Sequence, residues 1–369
     1  MNLLIRADAN RKIGAGHLMR CLALAHSWIT LCGRVIFVST DCESDVFYSR
    51  LLRDGFQVFT LEQSRSDQSS QGTGLEKWAG NSRPSAHLTE FDLIRTMEIA
   101  RQARASCVLV DHYGATAEYL QGLRNMGFKV AVIDDLADRD LTAAHWILNQ
   151  NLGAPSLHYR TRPDCIRLYG HTYALLRPEF TIARRRLSGE FSAEDRRVLL
   201  TFGGGDMTLV CAQILTALSL VSRSLKVRCI LGGSGSVPLR LTEIVSASRH
   251  DVQVFQNVTN IADHMIWADV SINAGGSTCW ELCCLGVPMI VLVASDDQAM
   301  NAEFLDKEGC ARSLGVLGSD SLSASLALVV EDLLDKPELR SKMSTRSQSL
   351  VDGFGARRVA ESLMILARA

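Results

Sequence analysis

Residues 3–21 read Leu3-Leu4-Ile5-Arg6-Ala7-Asp8-Ala9-Asn10-Arg11-Lys12-Ile13-Gly14-Ala15-Gly16-His17-Leu18-Met19-Arg20-Cys21. An apolar run of strand length passes through a polar stretch and two glycines into a segment with helical spacing, which is the opening of a βαβ unit. The spacing puts His17 on the first turn of the helix. There, unpaired backbone N–H groups and the positive end of the dipole disfavour imidazolium, so a neutral histidine and candidate general base is one reading. The other is that Gly14 and Gly16 make a tight turn and His17 is a polar first-turn residue.

Working outward, the same alternation recurs. Strand-like runs are expected at 2–7, 34–39, 56–60, 106–111, 128–134 and 145–149, and again at 197–202, 227–231, 252–255, 269–273 and 289–293. Each is followed by a polar or glycine-rich turn and an amphipathic stretch, the form of a parallel sheet covered on both faces. At 369 residues the chain exceeds one ordinary core and fits two α/β domains. The expected fold class is therefore α/β, with two doubly wound parallel-sheet domains, 1–186 and 187–369. Loops at strand C-termini would face a shared crevice, where ligands bind in open α/β sheets. Residues 62–90 form a polar excursion or lid. The charged stretch from Tyr173 to Arg186 reads as the linker, with Arg184-Arg185-Arg186 solvated. Val359, Leu363 and Leu366 recur at helical spacing, and their segment is expected to cross back onto the first domain.

Composition narrows the function classes. The net charge is −1, with 39 Lys and Arg against 40 Asp and Glu, so no global nucleic-acid footprint appears. Eleven cysteines, an odd number lying mostly in apolar runs, read as reduced hydrophobes of a cytoplasmic protein. Cys279, Cys283 and Cys284 lack paired zinc-ligand spacing, and no metal is expected. No apolar stretch reaches the ~18–20 residues of a membrane span.

Four loops carry candidate chemistry. Gly203-Gly204-Gly205-Asp206 follows an apolar strand and would let backbone amides approach a phosphate, without the lysine of a P-loop. Asn273-Ala274-Gly275-Gly276-Ser277-Thr278-Cys279-Trp280-Glu281 has the same placement. Its Glu281 sits one turn beyond the glycines, suited to a ribose diol, although Thr278 and Glu281 also have capping-box spacing. Asp111-His112-Tyr113-Gly114 and Asp134-Asp135 end two strands of the first half. They are candidates for binding sugar hydroxyls or orienting water, or simply turn residues.

These motifs, with Leu148-Asn149-Gln150-Asn151 and Tyr173-Ala174-Leu175-Leu176-Arg177-Pro178-Glu179-Phe180, occur in order over most of the chain. Together they resemble the nucleotide-sugar hydrolase family of pseudaminic acid biosynthesis. The resemblance implies a GT-B fold like that of the MurG-type glycosyltransferases. It implies metal-independent, inverting hydrolysis of UDP-2,4-diacetamido-2,4,6-trideoxy-β-L-altropyranose at the anomeric C–O bond. His17 would be the catalytic base in a loop with Gly14 and Gly16. Arg6, Asp8, Asp111, Tyr113 and Arg177 would lie around sugar or phosphate. Gly204, Gly276, Ser277 and Thr278 would hold the diphosphate, Glu281 the ribose, Asn257 and Val258 the uracil, and Gln298 and Asn301 further substrate contacts. The implied partner is a small UDP-sugar with no nucleic acid and no membrane, and a monomer is compatible with it.

The chain departs from the family pattern at Met207-Thr208-Leu209, where Asp-Pro and Asn are usual, at Asp296-Asp297-Gln298, and in the length of the polar segment 64–90. Rival readings are a glycosyltransferase of the same fold, a non-catalytic nucleotide-sugar binder and a hydrolysing epimerase.

Overall fold

The computed structural model describes residues 1–8, 16–40, 46–61, 87–187, 190–203, 207–232, 237–318 and 322–368. The chain divides into two units, Met1–Arg177 with Phe354–Ala369, and Pro178–Gly353.

The first unit contains, among the described residues, seven strands: β1 (Asn2–Ala7), β2 (Arg34–Thr40), β3 (Gln57–Leu61), β4 (Ala105–Asp111), β5 (Lys129–Ile133), β6 (Trp146–Asn149) and β7 (Ile166–Tyr169). They pair in the order β3-β2-β1-β4-β5-β6-β7, and every pairing is parallel. Leu3, Ile5 and Ala7 enter the core on one face and Leu4 that on the other. This two-sided burial explains why β1 is continuously apolar rather than alternating. The helices of this unit are α1 (Gly16–Thr30), α2 (Val46–Arg53), α3 (Glu90–Gln102), α4 (Ala117–Asn125) and, from the C-terminal segment, α13 (Gly355–Arg368).

Helix α13 puts Val359, Leu363 and Leu366 into the core beside Leu22 and Trp28 of α1. Burial of each such side chain is worth roughly 1.5–3 kcal/mol before entropy. Trp146 Nε1 donates to Ser362 Oγ at 3.0 Å. Entry into α13 is tight: a Cβ on Gly355 would stand 2.3 Å from the Ala174 carbonyl oxygen.

The second unit has α5 (Pro178–Arg184), β8 (Arg197–Thr201), α6 (Thr208–Leu218), β9 (Lys226–Leu231), α7 (Leu239–Ala247), β10 (Asp251–Gln256), α8 (Ile261–Trp267), β11 (Val270–Ala274), α9 (Thr278–Leu285), β12 (Met289–Val293), α10 (Asp296–Lys307), β13 (Ala311–Val316), α11 (Leu322–Asp335) and α12 (Pro337–Leu350). Its strands pair in parallel in the order β10-β9-β8-β11-β12-β13. The strand order of each sheet therefore reverses once, between β1 and β4 and between β8 and β11, the switch points at which open α/β sheets bind ligands.

Three expectations are corrected. The division falls after Arg177, not Arg186, because α5 belongs to the second unit. Arg184 is not a solvated linker residue: its Nη1 donates to the carbonyls of Cys284 and Val351, and Nη2 to that of Gln348. It caps the C-terminal ends of α9 and α12, where a cation is favoured. Strands β7 and β13 were also not anticipated. Both are sheet edges, and the polar Arg312 and Ser313 and the glycine of β13 break the apolar signal. The polar excursion lies outside the described residues from 62 to 86, and its end, Glu90, opens α3.

Candidate active site

In the first unit, His17 stands one residue into α1 and Asp111 is the last residue of β4, so the two flank the β1/β4 switch point. His17 Nδ1 lies 2.6 Å from Asp111 Oδ1. A carboxylate can only accept, so Nδ1 carries the proton, and in the neutral ring Nε2 holds the lone pair. Nε2 has no partner among the described residues, and the side chain retains 11 % exposure. The Tyr113 ring meets the imidazole edge-on, centroids 4.7 Å apart.

Asp111 is buried and its oxygens are committed. Oδ1 also accepts from Arg20 Nη2 at 2.6 Å, and Oδ2 accepts from Arg20 Nε at 2.7 Å and Cys21 Sγ at 3.4 Å. Burial pushes its carboxyl upward, but the Arg20 guanidinium and His17 outweigh that and hold it well below the usual carboxylate range. Within the protein, Asp111 is placed to orient the His17 ring. Asp135, just past β5, takes Arg20 Nη1 at 2.8 Å, Tyr113 Oη at 3.1 Å and Asn151 Nδ2 at 3.1 Å. Its neighbour Asp134 instead closes a turn, accepting from the Leu136 and Ala137 amides and pairing with Arg139.

Arg6 is fully buried, and its guanidinium is shared between Asp8 and Asp92 of α3. Asp8 also accepts from Ser39 Oγ and the Thr40 amide, and pairs with His112 Nε2 at 3.2 Å. These side chains tie the ends of β1, β2 and β4 to α3. Arg177 ends the first unit and is buried. Gly16 opens α1, whereas Gly14 lies outside the described residues.

In the second unit the site is the tip of α9. Thr278 is the first helical residue, so the cap position falls to Ser277, whose side chain makes no capping bond. The Thr278–Glu281 capping box is not formed. Cys279 and Trp280 amides return to the Gly276 and Ser277 carbonyls, which leaves Gly276, Ser277 and Thr278 at the tip of the dipole. Gly275 is required: a Cβ there would stand 2.9 Å from the Gln298 carbonyl oxygen. Gln298 Oε1 accepts from the Ala294 amide, and Asn301, buried, donates to the Gly275 carbonyl at 3.4 Å. Asn301 thus supports the loop through the Gly275 carbonyl. Glu281 is half-buried on the first turn of α9; Asn257 is exposed with φ +50°, followed by half-buried Val258. Gly203 ends the described part of its loop, and Gly204 lies outside it.

Sequence reasoning gave no role to Arg20 or Asp92. Arg20 had a readable signal, since three residues after His17 it shares a helix face with it. Asp92 had none beyond a polar residue on a helix. Among the described residues no cluster of His, Cys, Asp or Glu could hold a metal ion, no helix is long and apolar enough to cross a membrane, and all ten cysteines are free thiols.

With the geometry in hand, residues 198–361 match the glycosyltransferase family 28 C-terminal domain. The crystal structure of Acinetobacter baumannii MurG superposes with a TM-score of 0.63 at 15% identity, covering 99% of each chain. The two parallel-sheet units thus have the GT-B fold, which defines the class of protein. Among relatives, the spore coat polysaccharide biosynthesis protein SpsG of Bacillus subtilis is 24% identical over 99% of this chain and 98% of its own. An uncharacterized protein of Methanocaldococcus jannaschii is 22% identical over 81% of this chain, which spans only 57% of that relative. The UDP-N-acetylglucosamine–N-acetylmuramyl-(pentapeptide) pyrophosphoryl-undecaprenol N-acetylglucosamine transferase of Acidithiobacillus ferrooxidans is 35% identical, over 31% of this chain and 32% of its own.

Proposed function

We propose that the protein is a cytoplasmic UDP-sugar hydrolase acting in the biosynthesis of a surface polysaccharide or glycan, with UDP-2,4-diacetamido-2,4,6-trideoxy-β-L-altropyranose as its substrate. The observation that carries the reading is the His17–Asp111 pair at the first switch point, with Nε2 left to meet water. His17 Nε2 takes a proton from that water as its oxygen bonds to the anomeric carbon. The anomeric C–O bond breaks with inversion, and the electron pair leaves on the β-phosphate of UDP. The imidazolium then returns its proton to solvent. UDP needs little acid assistance where amides and a helix dipole match its charge, the task given to Gly276, Ser277 and Thr278, with Glu281 on the ribose and Asn257 and Val258 beside the uracil.

The GT-B fold and the match over 198–361 equally favour a second reading, transfer of the sugar to an acceptor hydroxyl. Purified protein incubated with the UDP-sugar in buffer alone separates the two. Multiple turnovers of UDP release, with one equivalent of reducing sugar formed for each, support hydrolysis. Release that waits on an added acceptor rejects it.

A further inference from the structure

Arg20 presents an arrangement that neither the resemblance nor the comparisons assign. Its guanidinium reaches three strand ends from one helix position. Nε and Nη2 grip both oxygens of Asp111 after β4, and Nη1 holds Asp135 after β5, whose other oxygen binds Asn151 after β6. The fork is buried, with side-chain exposures of 8 % for Arg20, 0 % for Asp111 and 7 % for Asp135. Planar, bidentate geometry of this kind fixes a carboxylate in orientation as well as in charge. Arg20 Nη2 also stands 3.2 Å from His17 Nδ1. That proton is therefore directed at Asp111.

From these contacts we infer that Arg20 is a positioning residue. It locks the Asp111 carboxylate so that His17 is held as the Nδ1–H tautomer, with Nε2 outward. Among the described residues, the groups facing His17 are Arg20 of its own helix, Asp111 of β4 and Tyr113 of the following loop; Cys21 and Asp135 act one contact further out. Cys21 adds no charge, because burial, reinforced by Asp111, pushes its thiol well up. Without the fork, Asp111 keeps His17 and Cys21 as its partners among the described residues, and neither fixes the carboxylate plane as a bidentate guanidinium does. The kinetic consequence rests on the hydrolase reading, whereas the tautomer does not.

The test measures both. Nitrogen-15 NMR of the neutral His17 imidazole, assigned by its disappearance in His17→Gln, gives the tautomer in the full chain without any substrate. Arg20→Met is expected to mix the tautomers, because Asp111 loses the fork that orients it. Arg20→Lys keeps the charge and loses the fork, so the tautomers should mix there as well. It also serves if Arg20→Met does not fold. With the UDP-sugar, both variants should lose about 10²-fold in kcat with little change in KM. A wild-type tautomer in both folded variants, or in Arg20→Lys alone if only it folds, overturns the inference. If the wild type releases no UDP while the NMR changes appear, the hydrolase reading falls and the positioning role stands.

Discussion

His17 Nδ1 and Asp111 Oδ1 lie 2.6 Å apart across the switch point of the first sheet, joining the start of α1 to the end of β4. Asp111→Asn keeps the shape of this contact but offers Nδ1 an amide in place of an obligate acceptor. The amide NH2 can then face the ring and favour the opposite tautomer, which places a proton on Nε2. The expected result is a kcat loss of about 10³–10⁴-fold with UDP affinity unchanged, measured by UDP release and calorimetry. A loss under tenfold in a folded variant would exclude Asp111 as the orienting group.

Acid stability follows from Asp8. Burial raises its carboxyl, but Arg6 and then His112 outweigh that and hold it far below the usual range. A depressed native carboxyl contributes stability that is present above its unfolded value, about 3.9, and lost as pH falls toward the native value. Thermal melts between pH 6 and pH 3 should therefore show Tm dropping steeply below about pH 4. Asp8→Asn should lower Tm at pH 6 and flatten that acid slope. An unaltered slope in the variant would assign the acid transition to other carboxylates, Asp111 first among them.

Arg184 stands in a basic run that reads as solvated, yet it donates to three carbonyls at the ends of α9 and α12. Arg184→Ala leaves those carbonyls without their cation and is expected to cost roughly 2–4 kcal/mol in urea unfolding. Arg185→Ala, exposed beside it, should stay within about 0.5 kcal/mol. Equal effects of the two would contradict the capping role.

How much of this was legible follows from where the signals are local. Strands such as Leu3–Ala7 and Met289–Val293 are buried on both faces, so their continuous apolar runs announce a parallel sheet. The loops after β1, β4 and β11 were found because glycine and polar residues interrupt such runs at once. What stayed hidden is pairing at a distance. The resemblance places Arg6 around sugar or phosphate, and nothing local in the sequence reveals its partner Asp92, which lies on α3 beyond the polar segment. Asp111 and Arg20 likewise become one unit only when β4 is laid beside β1. Of the four edge strands, β3 and β10 are legible and β7 and β13 are not: with one neighbour and partial exposure, β13 needs few apolar residues.

Two adjacent glycines separate the building of the α9 loop from its use. A Cβ on Gly275 would meet the Gln298 backbone oxygen at 2.9 Å, so α10 or the loop must move. A Cβ on Gly276 would meet only the end of the Gln298 side chain, at an ordinary 3.8 Å. Gly275→Ala should therefore lower stability by about 1–3 kcal/mol through overpacking. Gly276→Ala should leave stability within about 0.5 kcal/mol yet raise the Kd for UDP about tenfold, because a methyl group then stands where a phosphate must approach the amides. Denaturant unfolding and calorimetric titration of both variants measure the two effects. If Gly276→Ala binds UDP as tightly as the unaltered protein, the diphosphate is held elsewhere than at the tip of α9.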